Sequence, residues 1–301
     1  GYLFGEETDT NKMWTNLTEI ENLTNLDTSK IIYMNGMFAN STALTEIDLS
    51  AFNTVNVNSM KDMFKNVDEV EELDLTQFDT DLTENMSGMF SGAKKLSKVT
   101  LPTNFGNNAA DMSYMFANDS ALAFANSTSA LDISNINTGR ASDMSYMFYN
   151  AASISTIILP VRNFGAAATN MSHMFDGAVS ILDIDTARFN VGNAEDLSYM
   201  FASMSEIGSL DISAWNVGNV TNMSYMFANA NITSYDLTNF DTRNVTNISS
   251  MFAGAVATDV DLSNFDVTKV TNFSGVFSGM NVNTLNLSNW KIEATTYLSS
   301  M

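Results

Sequence analysis

The chain contains no cysteine, two prolines, one histidine, and 13 lysines and arginines against 34 aspartates and glutamates. Lack of cysteine excludes disulfides, thiolate metal sites and cysteine nucleophiles, and leaves the compartment open. The shortage of positive charge gives a formal net charge of −21. Such a field repels phosphate backbones and anionic headgroups, so nucleic acid and anionic membrane surfaces are set aside as partners. No stretch of 18 apolar residues occurs, so no membrane insertion is expected. With a single histidine, His173, acid–base or nucleophilic chemistry would rest on carboxylates alone. The expectation is therefore no enzyme. Charged residues make up only 16% of the chain, below the roughly 25% usual for soluble proteins. Apolar residues make up 45%, enough for an ordered core, with Asn, Ser and Thr on the surface.

What the chain does have is a repeat. The pattern Met-x-x-Met-Phe, clearest at Met223-Ser224-Tyr225-Met226-Phe227, recurs at 34–38, 60–64, 86–90, 112–116, 144–148, 171–175, 197–201, 248–252 and 273–277, and Leu298–Met301 begins another copy. Successive phenylalanines lie 26, 26, 26, 32, 27, 26, 26, 25 and 25 residues apart. Self-similarity at such a period signals a solenoid in which each repeat stacks only on its neighbours. The sequence reads as a single repeat solenoid over 14–301, preceded by a flank or cap at 1–13. Because the final copy stops mid-motif, it is expected to be a piece of a longer protein.

Each unit changes period halfway. Leu210 and Ile212 alternate with Asp211 and Ser213, which predicts a short strand. Equivalent strands are expected at Ile47–Ser50, Leu73–Thr76, Leu131–Ser134, Tyr235–Thr238, Val260–Ser263 and Leu285–Ser288. An aromatic follows in most units (Phe52, Phe78, Phe105, Phe164, Phe189, Trp215, Phe240, Phe265, Trp290), with Ile136 in its place once. Val220, Met223, Met226 and Phe227 then fall at the spacing of one face of a short helix, capped by Thr221 or Asn222. Two residues past each Phe comes Asn or Gly, or Ser203 once, where a left-handed stop is expected. Six extra residues within 117–130 suggest a loop between units. Pro102 and Pro160 should shorten the strands before them. The unit around Ile184 aligns only to within about two residues.

These motifs resemble the bacterial leucine-rich-repeat surface proteins called BspA-like. The likeness rests on Leu-Asp-Leu/Ile-Ser-x-Phe/Trp-Asn/Asp-x-x-x-Val-Thr-Asn-Met-Ser-x-Met-Phe, as in 210–227 and 260–277. Departures occur at Thr100, Ile158 and Asn286 in the Asp slot, and at Leu197, Ile248, Phe273 and Val276 in the Met slots. The expected architecture is an α/β, leucine-rich-repeat-like solenoid of about eleven strand–turn–short-helix units, with one parallel strand per unit. The resemblance implies an exported, non-enzymatic adhesin domain, attached to a bacterial cell surface or wall, and it names no ligand. The partner expected is a host or bacterial surface protein or glycan, bound by a monomer. A structural stalk carrying another binding domain is the alternative.

Two ladders are candidate sites. Tyr114, Tyr146, His173, Tyr199 and Tyr225 fill the middle slot of consecutive motifs, where other units hold Gly36, Asp62, Gly88, Ser250 or Gly275. Packing therefore does not demand a ring there. A tyrosine offers contact area with a polar tip, so the row is either side-by-side packing or a contact surface for glycan or protein. Asp48, Asp74, Asp132, Asp211, Asp236 and Asp261 share one strand position. Carboxylates about 5 Å apart repel by about 0.8 kcal/mol even in bulk water. Either Ser and Thr neighbours such as Ser50, Ser213 and Ser263 offset this by hydrogen bonding, or a cation such as Ca²⁺ does. No cofactor beyond that Ca²⁺ is expected. The methionines read as core filler rather than metal ligands.

Overall fold

A computed structural model describes residues 14–119, 130–161, 163–292 and 297–301. The flank at 1–13 and most of the insertion at 117–130 lie outside the described residues. The chain is a parallel β-solenoid. Its strands are β1 (Glu72–Asp74), β2 (Lys98–Thr100), β3 (Ala130–Asp132), β4 (Thr156–Ile158), β5 (Gly208–Leu210), β6 (Ile232–Tyr235), β7 (Asp259–Asp261) and β8 (Thr284–Asn286). They form sheets β1-β2, β3-β4 and β5-β6-β7-β8, parallel throughout and paired one coil to the next, as Leu73 with Val99 and Val260 with Leu285. Period-two alternation explains the faces: in β1, Leu73 is buried while Glu72 and Asp74 face solvent. The strands end at the Asp slot, or one residue before it in β5 and β6, so they sit upstream of the expected ranges. Those before Pro102 and Pro160 have three residues like most others.

Three expectations are corrected. Among the described residues, strands mark eight turns of the solenoid rather than one in each of about eleven units, and Ile47–Ser50 forms none. The unit around Ile184 carries no strand, only the isolated bridges Thr156–Asp183 and Phe164–Phe189 and a 3-10 turn at Thr186–Arg188. Most consequentially, the Met-x-x-Met-Phe segments are not helices. Met226 N–H donates to the Met223 carbonyl, Ala228 N–H to Tyr225 and Ala230 N–H to Phe227, at 3.3, 3.0 and 3.1 Å. These are overlapping four-residue turns. The alternate amides of Met223, Tyr225, Phe227 and Asn229 donate to Asn247, Ser249, Met251 and Ala253 of the next coil, at 2.8–2.9 Å.

The reason lies in where the amides go. A two-turn helix keeps its hydrogen bonds to itself and is unstable alone. Chained turns release every second amide along the solenoid axis, so each coil templates the next. The geometry needs a left-handed residue at the third position of the first and last turns. Tyr225 has φ 57° and Asn229 has φ 56°. The left-handed stop after each Phe is present at every expected position, including Ser203 at φ 59°. Asn222 still caps, its Oδ1 accepting the Ser224 amide at 3.1 Å and hydroxyl at 2.8 Å.

Inside, identical slots superpose. The rings of Phe38, Phe64, Phe90, Phe116, Phe148, Phe175, Phe201, Phe227, Phe252 and Phe277 form one stack with centroids 5.2–6.0 Å apart. The methionines on either side are buried with them, as Met223 and Met226, both 0% exposed. A second buried row follows the strands, from Phe52 and Phe78 to Phe240 and Phe265. Single parallel bridges run along the turn side through Tyr33, Ser59, Asn85, Asp111, Asp143, Asn170, Asp196, Asn222, Asn247, Asn272 and Tyr297. The stacked turns thus leave the third-position side chains in register on the outside.

Candidate aromatic ladder

Five of those outer slots carry rings. Tyr114 stacks on Tyr146 at 4.4 Å, Tyr146 on His173 at 4.3 Å, His173 on Tyr199 at 4.1 Å and Tyr199 on Tyr225 at 4.3 Å. All four pairs lie within 11° of parallel. Tyr149 meets Tyr146 edge-on at 5.4 Å. His173 Nδ1 sits 2.8 Å from Asp176 Oδ2, fixing the imidazole in the row. The structure brings all five sequence-selected ring residues together in one uninterrupted file.

Every ring in the file stands on a left-handed backbone, with φ between 56° and 58°. That conformation costs a non-glycine residue about 1 kcal/mol or somewhat more. Parallel ring contacts return about 0.5–1.5 kcal/mol each. Five strained residues against four contacts leave a balance near zero, so stability alone gives no reason to prefer rings to the glycine of other coils. The interior faces of the rings are spent on each other. What the row offers outward is a line of ring edges and phenol oxygens, plus one face at each end, on Tyr114 and Tyr225, that no further ring of the described residues stacks on. Tyr114 is the most open, 41% exposed.

The electrostatics follow from the crowding. Burial pushes the Tyr114 phenol up to about 12, helped by the charge and hydrogen bond of Tyr146 and the charge of Asp143. Tyr199 is raised for the same leading reason, with Tyr225 and Asp176 adding to it. Tyr114 and Tyr199 therefore present neutral hydroxyls at physiological pH.

The aspartate ladder has a local explanation. Each carboxylate accepts the amide two residues on: Ser50 to Asp48 at 3.0 Å, Thr76 to Asp74 at 2.9 Å, Ser134 to Asp132 at 2.9 Å, Ser213 to Asp211 at 3.1 Å, Thr238 to Asp236 at 3.1 Å and Ser263 to Asp261 at 2.8 Å. Hydroxyls of Thr76, Ser213 and Thr238 add a second bond at 2.6–2.7 Å. These bonds hold Asp48, Asp74, Asp211 and Asp261 below the ordinary carboxylate value. Register also breaks the row, since Asp74 pairs with Thr100 and Asp132 with Ile158. Among the described residues, no three His, Asp or Glu side chains come close enough together to hold a metal ion.

A feature missed in the sequence lies on the strand side. Glu46, Asp48, Glu69, Glu71, Glu72 and Asp74 line an open groove of about 1000 Å³ that also includes Lys98 and Thr100. Lys98 pairs with Glu72 at 2.7 Å, and Lys95 pairs with Glu69 at 2.5 Å. The acidic run Asp68-Glu69-Val70-Glu71-Glu72 was the available signal.

A family described as "Mycoplasma protein of unknown function, DUF285" matches at residues 8–130, 119–231 and 195–301. The chain belongs to this family. Its DUF285 segments overlap at 119–130 and 195–231, so the family unit is a run of several coils rather than one. The aromatic ladder crosses the first overlap, with Tyr114 before it and the other four rings after it. No curated protein and no solved structure matches the chain. No described helix is long and apolar enough to cross a membrane.

Proposed function

We propose that this chain is a non-enzymatic adhesin domain displayed outside a bacterial cell, which binds a glycoprotein, glycan or matrix surface along the aromatic ladder. One observation carries this reading: five consecutive coils place rings at left-handed positions that other coils fill with glycine, aspartate or serine, at no evident gain in stability. A surface that keeps such rings in register serves contact, and tyrosine is suited to it because it combines area with a hydroxyl tip. Kinship with the BspA-like leucine-rich-repeat surface proteins belongs to the same proposal, as does a count of about eleven units by motif. It rests on the shared Leu-Asp-x-Ser and Val-Thr-Asn-Met-Ser-x-Met-Phe pattern, with chained turns in place of helices. The lone histidine supports a non-catalytic role, being stacked between two tyrosines and tied to Asp176.

The stalk reading keeps one observation of its own. The single bridges continue without a break from Tyr33 to Tyr297, as a spacer requires. Binding of the purified domain to mucin, fibronectin, fibrinogen, collagen and a glycan panel separates the two. Saturable binding to one of them supports the adhesin. No binding by well-folded protein favours the stalk.

A further inference from the structure

The free end of the ladder at Tyr114 has an unusual neighbour. In the coil before it the third-position residue is Gly88, with φ 62° and no side chain to cover the outer ring face. One coil further back stands Asp62, and its carboxylate leans forward over Gly88. A Cβ added to Gly88 would lie 2.2 Å from Asp62 Oδ1. Moving along the axis, one meets a carboxylate, a coil without a side chain, and then an open aromatic face. Parallel coils rise by about 4.8 Å, close to the 4.1–4.4 Å between rings within the ladder. A flat group lying on Tyr114 would occupy the level where the next ring is missing, with Asp62 at its inner edge.

We propose that this gap is a binding slot for a guanidinium group, the side chain of an arginine presented by the partner surface. The shape and charge both select it. A guanidinium is planar, stacks on aromatic faces and offers paired donors to a carboxylate. The chain's net charge of −21 draws such a group toward the surface. An ammonium is a point charge that cannot lie flat on the ring, and an anion is repelled by Asp62. The slot has one resident competitor: Lys65 Nζ reaches Asp62 Oδ1 at 3.3 Å in a half-buried pair. Partly solvated pairs of this kind are weak and readily exchanged. The other end of the ladder lacks the carboxylate, because Tyr225 is followed by Ser250 and then Gly275.

The inference deepens the reading of the ladder as a recognition surface and rests on it. The test is an NMR titration of the whole domain with Nα-acetyl-arginine methylamide, with the lysine counterpart alongside. The expected result is saturable perturbation centred on Asp62, Gly88 and Tyr114, with weaker binding of the lysine probe. Asp62→Asn and Tyr114→Gly should each weaken arginine binding at least five-fold, Tyr225→Gly should leave it unchanged, and Lys65→Gln should strengthen it. Glycine is already the residue of this slot in other coils, so Tyr114→Gly folds. Shifts spread evenly over the acidic surface, equal binding of the two probes, or equal affinity across the variants would overturn the slot. An arginine-binding slot in a domain that binds none of the panel surfaces would leave this inference standing and remove the adhesin reading.

Discussion

Tyr199 lies flat on His173, with centroids 4.1 Å apart and planes 11° from parallel, while the two backbones share the same left-handed conformation at φ 57° and 56°. The backbone causes the stacking. A turn that repeats once per coil sends its third side chain outward in the same direction each time, so neighbouring rings are held at one coil spacing whether or not they attract. Strain and contact then nearly cancel, whereas the inner phenylalanine stack has contact without strain.

That difference predicts opposite responses to truncation two residues apart. Tyr225→Gly should change unfolding free energy by less than about 1 kcal/mol, because relief of the left-handed strain offsets the lost ring contact. Phe227, fully buried between Phe201 and Phe252, should lose about 3–5 kcal/mol on change to alanine. Urea unfolding of both variants checks the contrast. Similar losses at the two positions would show that the outer rings belong to the core energetically.

The second left-handed position allows a cleaner test of space against conformation. Gly92 has φ 72°, and a Cβ there would stand 2.2 Å from Asn66 Oδ1. Gly208 has φ 64° with nothing within 4 Å of its added Cβ. Gly208→Ala should cost about 1 kcal/mol from conformation alone. Gly92→Ala should cost more, because Asn66 must also give way. Thermal denaturation of the two variants orders them.

The carboxylate turns predict a pH response. Hydrogen bonds to Ser213 hold Asp211 below its ordinary 3.8. A folded-state value that is depressed gives stability present above the unfolded value and lost as pH falls through the folded one. Asn286 caps the equivalent turn, its Oδ1 accepting the Ser288 amide at 3.1 Å, so Asp211→Asn keeps the fold. Melting temperatures of the two proteins should run in parallel above about pH 5, given an unfolded carboxylate near 3.9. Wild type should then fall relative to Asp211→Asn as pH drops below 3.8.

At the alkaline end Tyr114 and Tyr199 should titrate late. Tyr114 is pushed up from 10.0 to about 12, so absorbance near 295 nm should show a component ionising well after an ordinary phenol. The sign is the reverse of the aspartates. A raised folded value gives stability that is complete below the unfolded pKa and lost as pH rises through the folded one. Tyr114→Gly should remove part of the late component. A single transition near pH 10 in wild type would mean that the rings are not packed as described.

Much of this was written in the sequence, and the part that was not has a physical reason. The period fixed stacking, and Asn40, Asn66 and Gly92 marked left-handed stops that the structure contains. Ser50 and Ser213 stood where the aspartates needed donors. The helix failed because Val220, Met223, Met226 and Phe227 suit either a helical face or chained turns, and apolar spacing does not separate them. The deciding signal was the middle slot itself. Gly36, Gly88 and Gly275, with Asp62, are residue types that tolerate φ > 0, and they and Ser250 are weaker helix formers than alanine. The rings that share the slot hid it. The acidic groove was missed because its members come from neighbouring coils, and only the stacking of one coil on the next brings Glu46 and Asp48 beside Glu72 and Asp74.

The most direct test of the ladder as a recognition surface compares wild type with a variant in which Tyr114, Tyr146, Tyr199 and Tyr225 are all serine, a residue already accepted in this slot at Ser250 with φ 54°. Both proteins would be titrated over the immobilised surface that binds wild type best, after circular dichroism has shown equal folding. At least a ten-fold loss of affinity in the variant is the predicted result. Undiminished binding by the folded variant would contradict it and return the rings to packing alone.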